Sequence, residues 1–213
     1  MRCAVLTLAL AAFASGVALA DPPAANGPRI EKLPPKVRPV VIKEVGDGTI
    51  DSVERAKDGA RVVFDIEFTL NGRSRMFTVT RAGELLDEQV FLEETPAAVQ
   101  KIIKDTVGAG KLGEIDKSVE DGQTEFDVEM TSAAAKRHFT VGADGKLLSR
   151  EISLADAPAP VQKTLQAELK GAKIETIELN FEEDPPSYEI DATRAGKSVE
   201  LTIAPDGDII DED

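Results

Sequence analysis

Carboxylates and hydroxyls are the only side chains abundant enough in this sequence to do chemistry, and their spacing decides which kind. The 213 residues hold 39 Asp+Glu against 25 Lys+Arg, with one His, one Cys, no Trp and one Tyr, and a net charge of −14. Three carboxylate pairs stand out: Asp65 with Glu67, Asp127 with Glu129, and Glu189 with Asp191. Each pair alternates with apolar residues, so each lies on one face of a strand. Glu54, Asp116 and Glu178 belong on the adjacent strand. Like charges opposed across a sheet repel, so such a face suits a cationic partner or a divalent ion. The plainer alternative is a solvated face relieved by Arg55, Lys117, Arg75 and Arg137, the usual role of charge runs.

Other chemistry finds no footing. His138 has Met76 and Glu200 as counterparts 62 residues away on either side, on the polar side of a strand, and no second His or nearby Cys accompanies it. That is a solvated histidine rather than a base or a ligand. Ser and Thr residues show no nucleophile-elbow pattern. Gly46-Asp-Gly48 and Gly108-Ala-Gly110 follow helical stretches instead of opening them, unlike phosphate loops. The tail from Asp206 to Asp213 lacks the spacing of a calcium loop and reads as a turn. No catalytic, cofactor-binding or metal-ligating residue is expected, and the acidic balance argues against nucleic acid and anionic lipid.

The elements that must carry these carboxylates follow from the rest of the sequence. Residues 1–20 read as an export signal: Met1-Arg2, an apolar run, then Ala18-Leu19-Ala20 before Asp21. Residues 21–32, rich in Pro and Ala, read as a flexible leader. No membrane insertion is expected after cleavage, so the product is secreted or periplasmic. From there a constant offset of 62 residues joins Val37, Val99 and Val161; Phe64, Phe126 and Tyr188; Phe77, Phe139 and Leu201; and Gly83, Gly145 and Gly207. Pro34, Pro96 and Pro158 open each stretch. An ungapped match through proline, aromatic and glycine positions indicates an internal repeat.

Within each stretch the periodicity changes once. Val99, Ile102, Ile103 and Val107 recur at helical spacing, with Thr95 as N-cap, Pro96 at the first helical position and Gly108 as the stop. Alternation then takes over, as in Phe126, Val128 and Met130 against Asp127 and Glu129. Turns at Asp58-Gly59, Asn71-Gly72 and Ala82-Gly83, and at their counterparts, divide four strands. The expected fold is α+β: three tandem repeats, each one helix packed on a four-stranded antiparallel sheet, over residues 33–94, 95–156 and 157–213. A unit of that size is marginal alone, so neighbours are expected to share surface.

This pattern resembles the secreted PepSY-like, β-lactamase-inhibitor-like family. The resemblance rests on Pro96-Ala-Ala-Val99-Gln-Lys-Ile-Ile103, on Phe126-Asp-Val128, and on Asp144-Gly145-Lys-Leu147-Leu148 with Asp206-Gly207-Asp-Ile209-Ile210. Ala82 departs from it where an Asp is expected. The resemblance implies an exported, non-catalytic protein whose exposed sheet face binds another extracytoplasmic protein or peptide, in some members an enzyme thereby inhibited. The partner-binding residues would be Asp65, Glu67, Asp127, Glu129, Glu189 and Asp191. The alternative is an acidic, divalent-cation-binding envelope protein.

Overall fold

The computed structural model describes residues 30–120, 122–132 and 135–212. The export signal and residues 21–29 of the leader lie outside the described residues, whereas Ile30–Lys32 form a 3-10 turn. Three helices, α1 (Val37–Val45), α2 (Ala97–Val107) and α3 (Ala159–Glu168), alternate with runs of four strands. The strands are β1 (Thr49–Asp58), β2 (Arg61–Leu70), β3 (Arg73–Thr80), β4 (Leu85–Gln89), β5 (Lys111–Glu120), β6 (Gln123–Ser132), β7 (Ala135–Gly142), β8 (Leu147–Glu151), β9 (Lys173–Asn180), β10 (Ser187–Arg194), β11 (Lys197–Ile203) and β12 (Ile209–Glu212).

The strands corrected our expectation of three repeats, each a helix on its own four-stranded sheet. All twelve belong to one antiparallel sheet, in the order of the chain from β1 to β12. The joints are β4 with β5, through Asp87↔Ser118, Glu88↔Lys117 and Gln89↔Asp116, and β8 with β9, through Ser149↔Asn180, Arg150↔Leu179 and Glu151↔Glu178. The physical reason is the edge: a four-stranded sheet exposes two rows of unpaired N–H and C=O groups, and merging sheets satisfies them.

Residues directly opposite one another share a face, so the register orients the whole sheet. Phe77↔Glu88, Glu88↔Lys117 and Lys117↔Phe126 form one row, and Phe139↔Arg150, Arg150↔Leu179 and Leu179↔Tyr188 another. Phe77, Phe126, Phe139 and Tyr188 all pack beneath helices, which puts α1, α2 and α3 on the same face. The apolar material there forms three clusters: Val37 and Val41 over Ile66 and Phe77, Val99 and Ile103 over Val128 and Phe139, Val161 and Leu165 over Ile190 and Leu201. Each of these side chains is at most 2% exposed.

Local chemistry differs from expectation at the helix starts. Pro96 occupies the cap position with extended ψ, and Ala97 begins the helix. Thr95 is buried, and its hydroxyl donates to the Leu92 carbonyl at 2.9 Å, closing a 3-10 turn over Leu92–Glu94. Gly145, with φ +83°, sits beneath the start of α2, where a Cβ would stand 2.7 Å from that of Ala98. Glycine is therefore required twice over, by backbone conformation and by contact.

Candidate functional site

The helices cover one face and leave the other open, and the open face carries the carboxylates. Glu54↔Asp65↔Thr78↔Asp87↔Ser118 is one row across it, and Gln89↔Asp116↔Asp127↔Thr140↔Ser149 the next. Glu151↔Glu178↔Glu189↔Thr202 continues the band toward β11. Four of these contacts oppose like charges directly (Glu54 with Asp65, Asp116 with Asp127, and Glu178 with both Glu151 and Glu189), which is unfavourable unless the charge is neutralised or a partner supplies the opposite sign.

All six expected binding residues lie on this face, but they do not converge on one spot. Asp65 accepts from Thr78 Oγ1 at 3.0 Å and Glu67 from Ser52 Oγ at 3.1 Å. Asp127 accepts from Thr140 Oγ1 at 2.7 Å and Glu129 from Lys136 Nζ at 2.9 Å. Glu189 accepts from Asn180 Nδ2 at 2.9 Å and Asp191 from Thr176 Oγ1 at 2.6 Å. Four strand spacings, roughly 19 Å measured across the strands, separate β2 from β6 and β6 from β10. The pairs are stations along a band, and other acids fill the gaps: Asp87 and Asp116 at the first joint, Glu151 and Glu178 at the second.

Asp87, like Glu151 at the second joint, was missed by sequence reasoning. It belongs to the site only because β4 pairs with β5, a contact that leaves no periodic trace in the sequence. Its burial raises the carboxyl pKa, against the pull of hydrogen bonds from Thr78, and the charges of Asp65 and Asp127 push the same way as burial. Asp116 is the most perturbed group: burial first, then the charges of Asp87, Glu114, Asp127 and Glu129, raise it from 3.8 to about 7. Protein atoms crowding the Asp127 carboxylate raise its pKa too, opposed by the Thr140 hydrogen bond. Glu178 is raised by burial and by Glu189, Asp127 and Asp191, opposed by Ser149.

The cations expected to relieve this charge are on the wrong side. Arg55 lies opposite Phe64, Arg75 opposite Phe68, Lys117 opposite Phe126, and Arg137 opposite Met130, all on the helix-bearing face. There Arg75 pairs with Glu94, Lys117 with Glu88 and Arg137 with Asp156, tying strands to neighbouring strands and 3-10 turns. Basic residues in register with the open face, such as Arg61, Lys111, Lys136 and Lys173, stand at strand ends. His138 is exposed opposite Glu129 on the same face.

Among the described residues, no group of three or more His, Cys, Asp or Glu side chains is disposed to hold a metal ion. Nor, among them, is any helix long and apolar enough to cross a membrane. The tail closes as a turn, with the Asp208 N–H donating to Asp206 Oδ1 at 3.2 Å and Gly207 at φ +94°.

No family model matches the chain, and no curated protein matches it. Several solved structures are similar over little more than half of it. A DUF2874 family protein from Bacteroides uniformis is 13% identical, covering 56% of this chain and 88% of its own, with a TM-score of 0.42. A protein from Bacteroides thetaiotaomicron, named as a candidate calcium-regulated periplasmic protein, is 19% identical over 60% of this chain and 96% of its own, with a TM-score of 0.40. A BLIP-like protein from Bacteroides fragilis is 16% identical over 54% of this chain and 82% of its own, with a TM-score of 0.39.

Proposed function

We propose that this chain is an exported, non-catalytic binding module that docks a cationic segment of another extracytoplasmic protein on the open face of its sheet. One observation carries the reading: the carboxylate band crosses the middle of that face while Arg55, Arg75, Lys117 and Arg137 stand on the other. A basic segment laid across the strands would neutralise opposed like charges that the fold leaves facing one another. The absence of Trp and the burial of Tyr188 on the helix side favour charge over aromatic anchoring.

Export rests on the pattern of residues 1–20, and descent from one segment copied in tandem rests on the 62-residue offset. A role as inhibitor or regulator of the partner belongs to the same reading through the PepSY-like motifs. The test is capture from the extracytoplasmic fraction of the native cell at about 50 mM NaCl. The comparison is the chain against a variant carrying Asp65→Lys, Asp127→Lys and Glu189→Lys. The expected result is a specific protein released by about 0.5 M salt, where charges are screened beyond a few ångströms, and held at least about tenfold less by the variant. Equal retention by both proteins, or retention of nothing, overturns the reading.

A further inference from the structure

The two joints inside the sheet are built alike. Asp87↔Ser118 and Ser149↔Asn180 stand 62 residues apart, as do Glu88↔Lys117 and Arg150↔Leu179. The Val90 N–H donates to the Ile115 carbonyl at 2.8 Å in one, and the Ile152 N–H to the Ile177 carbonyl at 2.8 Å in the other. A last strand thus meets a first strand in one fixed register. Among the described residues, β12 stands at the position of β4 and β8 but pairs only with β11, and β1 stands at the position of β5 and β9 but pairs only with β2. We infer that the chain self-associates head to tail, the β12 edge of one copy adding to the β1 edge of the next in the register of the internal joints.

Burial marks both edges as uncovered versions of those joints. Leu85, Leu86, Leu147 and Leu148 are half-buried, whereas Ile209 and Ile210 at the matching places are 41% and 48% exposed. On the other edge Glu54 and Arg55 are exposed, while Asp116, Lys117, Glu178 and Leu179 at the matching places are half-buried. Continuing the register sets Asp211 opposite Ala56 and residue 212 opposite Arg55. The register thus brings the end of β12 to Arg55, which stands where the first joint has Lys117 in contact with Glu88 at 2.5 Å. Lys197 and Glu31 likewise fall where Arg73 and Glu93 pair across the first joint.

Features that ordinarily protect an edge do not block this one. β1 has a bulge between Ile50 and Ser52, but β5 has one between Leu112 and Ile115 and still accepts β4. The obstacle is net charge: copies carrying −14 repel at low ionic strength, so association should strengthen as salt screens them. The contact is heterologous, so growth is linear and does not close at a dimer.

Sedimentation velocity of the purified chain from about 5 to 500 µM, at 0.05 and 0.5 M NaCl, tests this. The expected result is a weight-average mass that rises with concentration, more steeply at high salt. Ile210→Pro is the diagnostic variant. In the second joint the Leu148 carbonyl accepts from the Phe181 N–H at 2.7 Å, and residue 210 is its counterpart on the β12 edge. Residue 210 lies at the bulge, outside the register pairs with β11, and a proline ring there obstructs addition of another strand to the edge. It should weaken association at least tenfold while the melting temperature holds within a few degrees, and Arg55→Glu should weaken it too. Three outcomes overturn the inference: a monomer at every concentration and salt, a dimer that grows no further, or a folded Ile210→Pro chain that associates as the unmodified one does.

Discussion

Phe139→Ala is expected to remove about 3–5 kcal/mol of folding stability, the range for emptying a large aromatic site in a packed core. Phe139 is 2% exposed and lies in the central apolar cluster with Val99, Ile103 and Val128. Its β7 neighbours continue the sheet in both directions, so the cavity cannot collapse without moving paired strands on either side. A loss of that size is a large share of the roughly 5–15 kcal/mol that holds a domain folded. Urea unfolding followed by circular dichroism measures it, with Val119→Ala as the control. Val119 is 59% exposed, and its truncation should change stability by no more than about 0.5 kcal/mol. Equal effects from the two substitutions would mean that Phe139 does not sit in a packed core.

Asp116→Asn is expected to stabilise the chain by about 2 kcal/mol at pH 8 and to flatten its pH dependence. The folded protein keeps the Asp116 proton up to about pH 7, whereas the unfolded chain releases it near the ordinary value of 3.8. Between those values the folded state binds more protons, so stability is greatest at the acidic end of the window and falls as pH rises through 7. The full shift corresponds to ~4 kcal/mol, and solvent around a half-buried group leaves about half of that. Raised pKa values at Asp87, Asp127 and Glu178 act in the same direction. Lowered ones at Glu93, Glu94, Asp144 and Asp156 act oppositely, and only below their unfolded values near pH 4. Thermal melts of both proteins from pH 5 to 8 check this; a rise in stability toward pH 8, or parallel curves, would remove Asp116 from the account.

The sequence displays what repeats along the chain and hides what pairs across it. Val37, Val99 and Val161 announced buried helix positions because an apolar residue every three or four places has one packing solution. Alternation around Asp65, Asp127 and Glu189 put carboxylates opposite the apolar face for the same kind of reason. Which strand sits beside β4 has no such signature. Asp87-Glu88-Gln89 reads equally as a free edge or as a joint, and that ambiguity turned one sheet into three in the reading. It also misplaced the relieving cations, since Arg75 and Lys117 are near the acids in sequence yet across the sheet from them. The Leu92–Glu94 and Leu154–Asp156 connectors are 3-10 turns bound by side-chain pairs, which no periodicity in the sequence announces.

Strand order that follows chain order has a kinetic consequence. Every pairing in the sheet joins segments adjacent along the polypeptide, from β1 with β2 to β11 with β12. Loop-closure entropy is therefore small at each step, and no strand waits for a distant partner before it can add. A chain delivered end first through a narrow passage could zip up hairpin by hairpin on the far side, each newly arrived strand finding its template already in place.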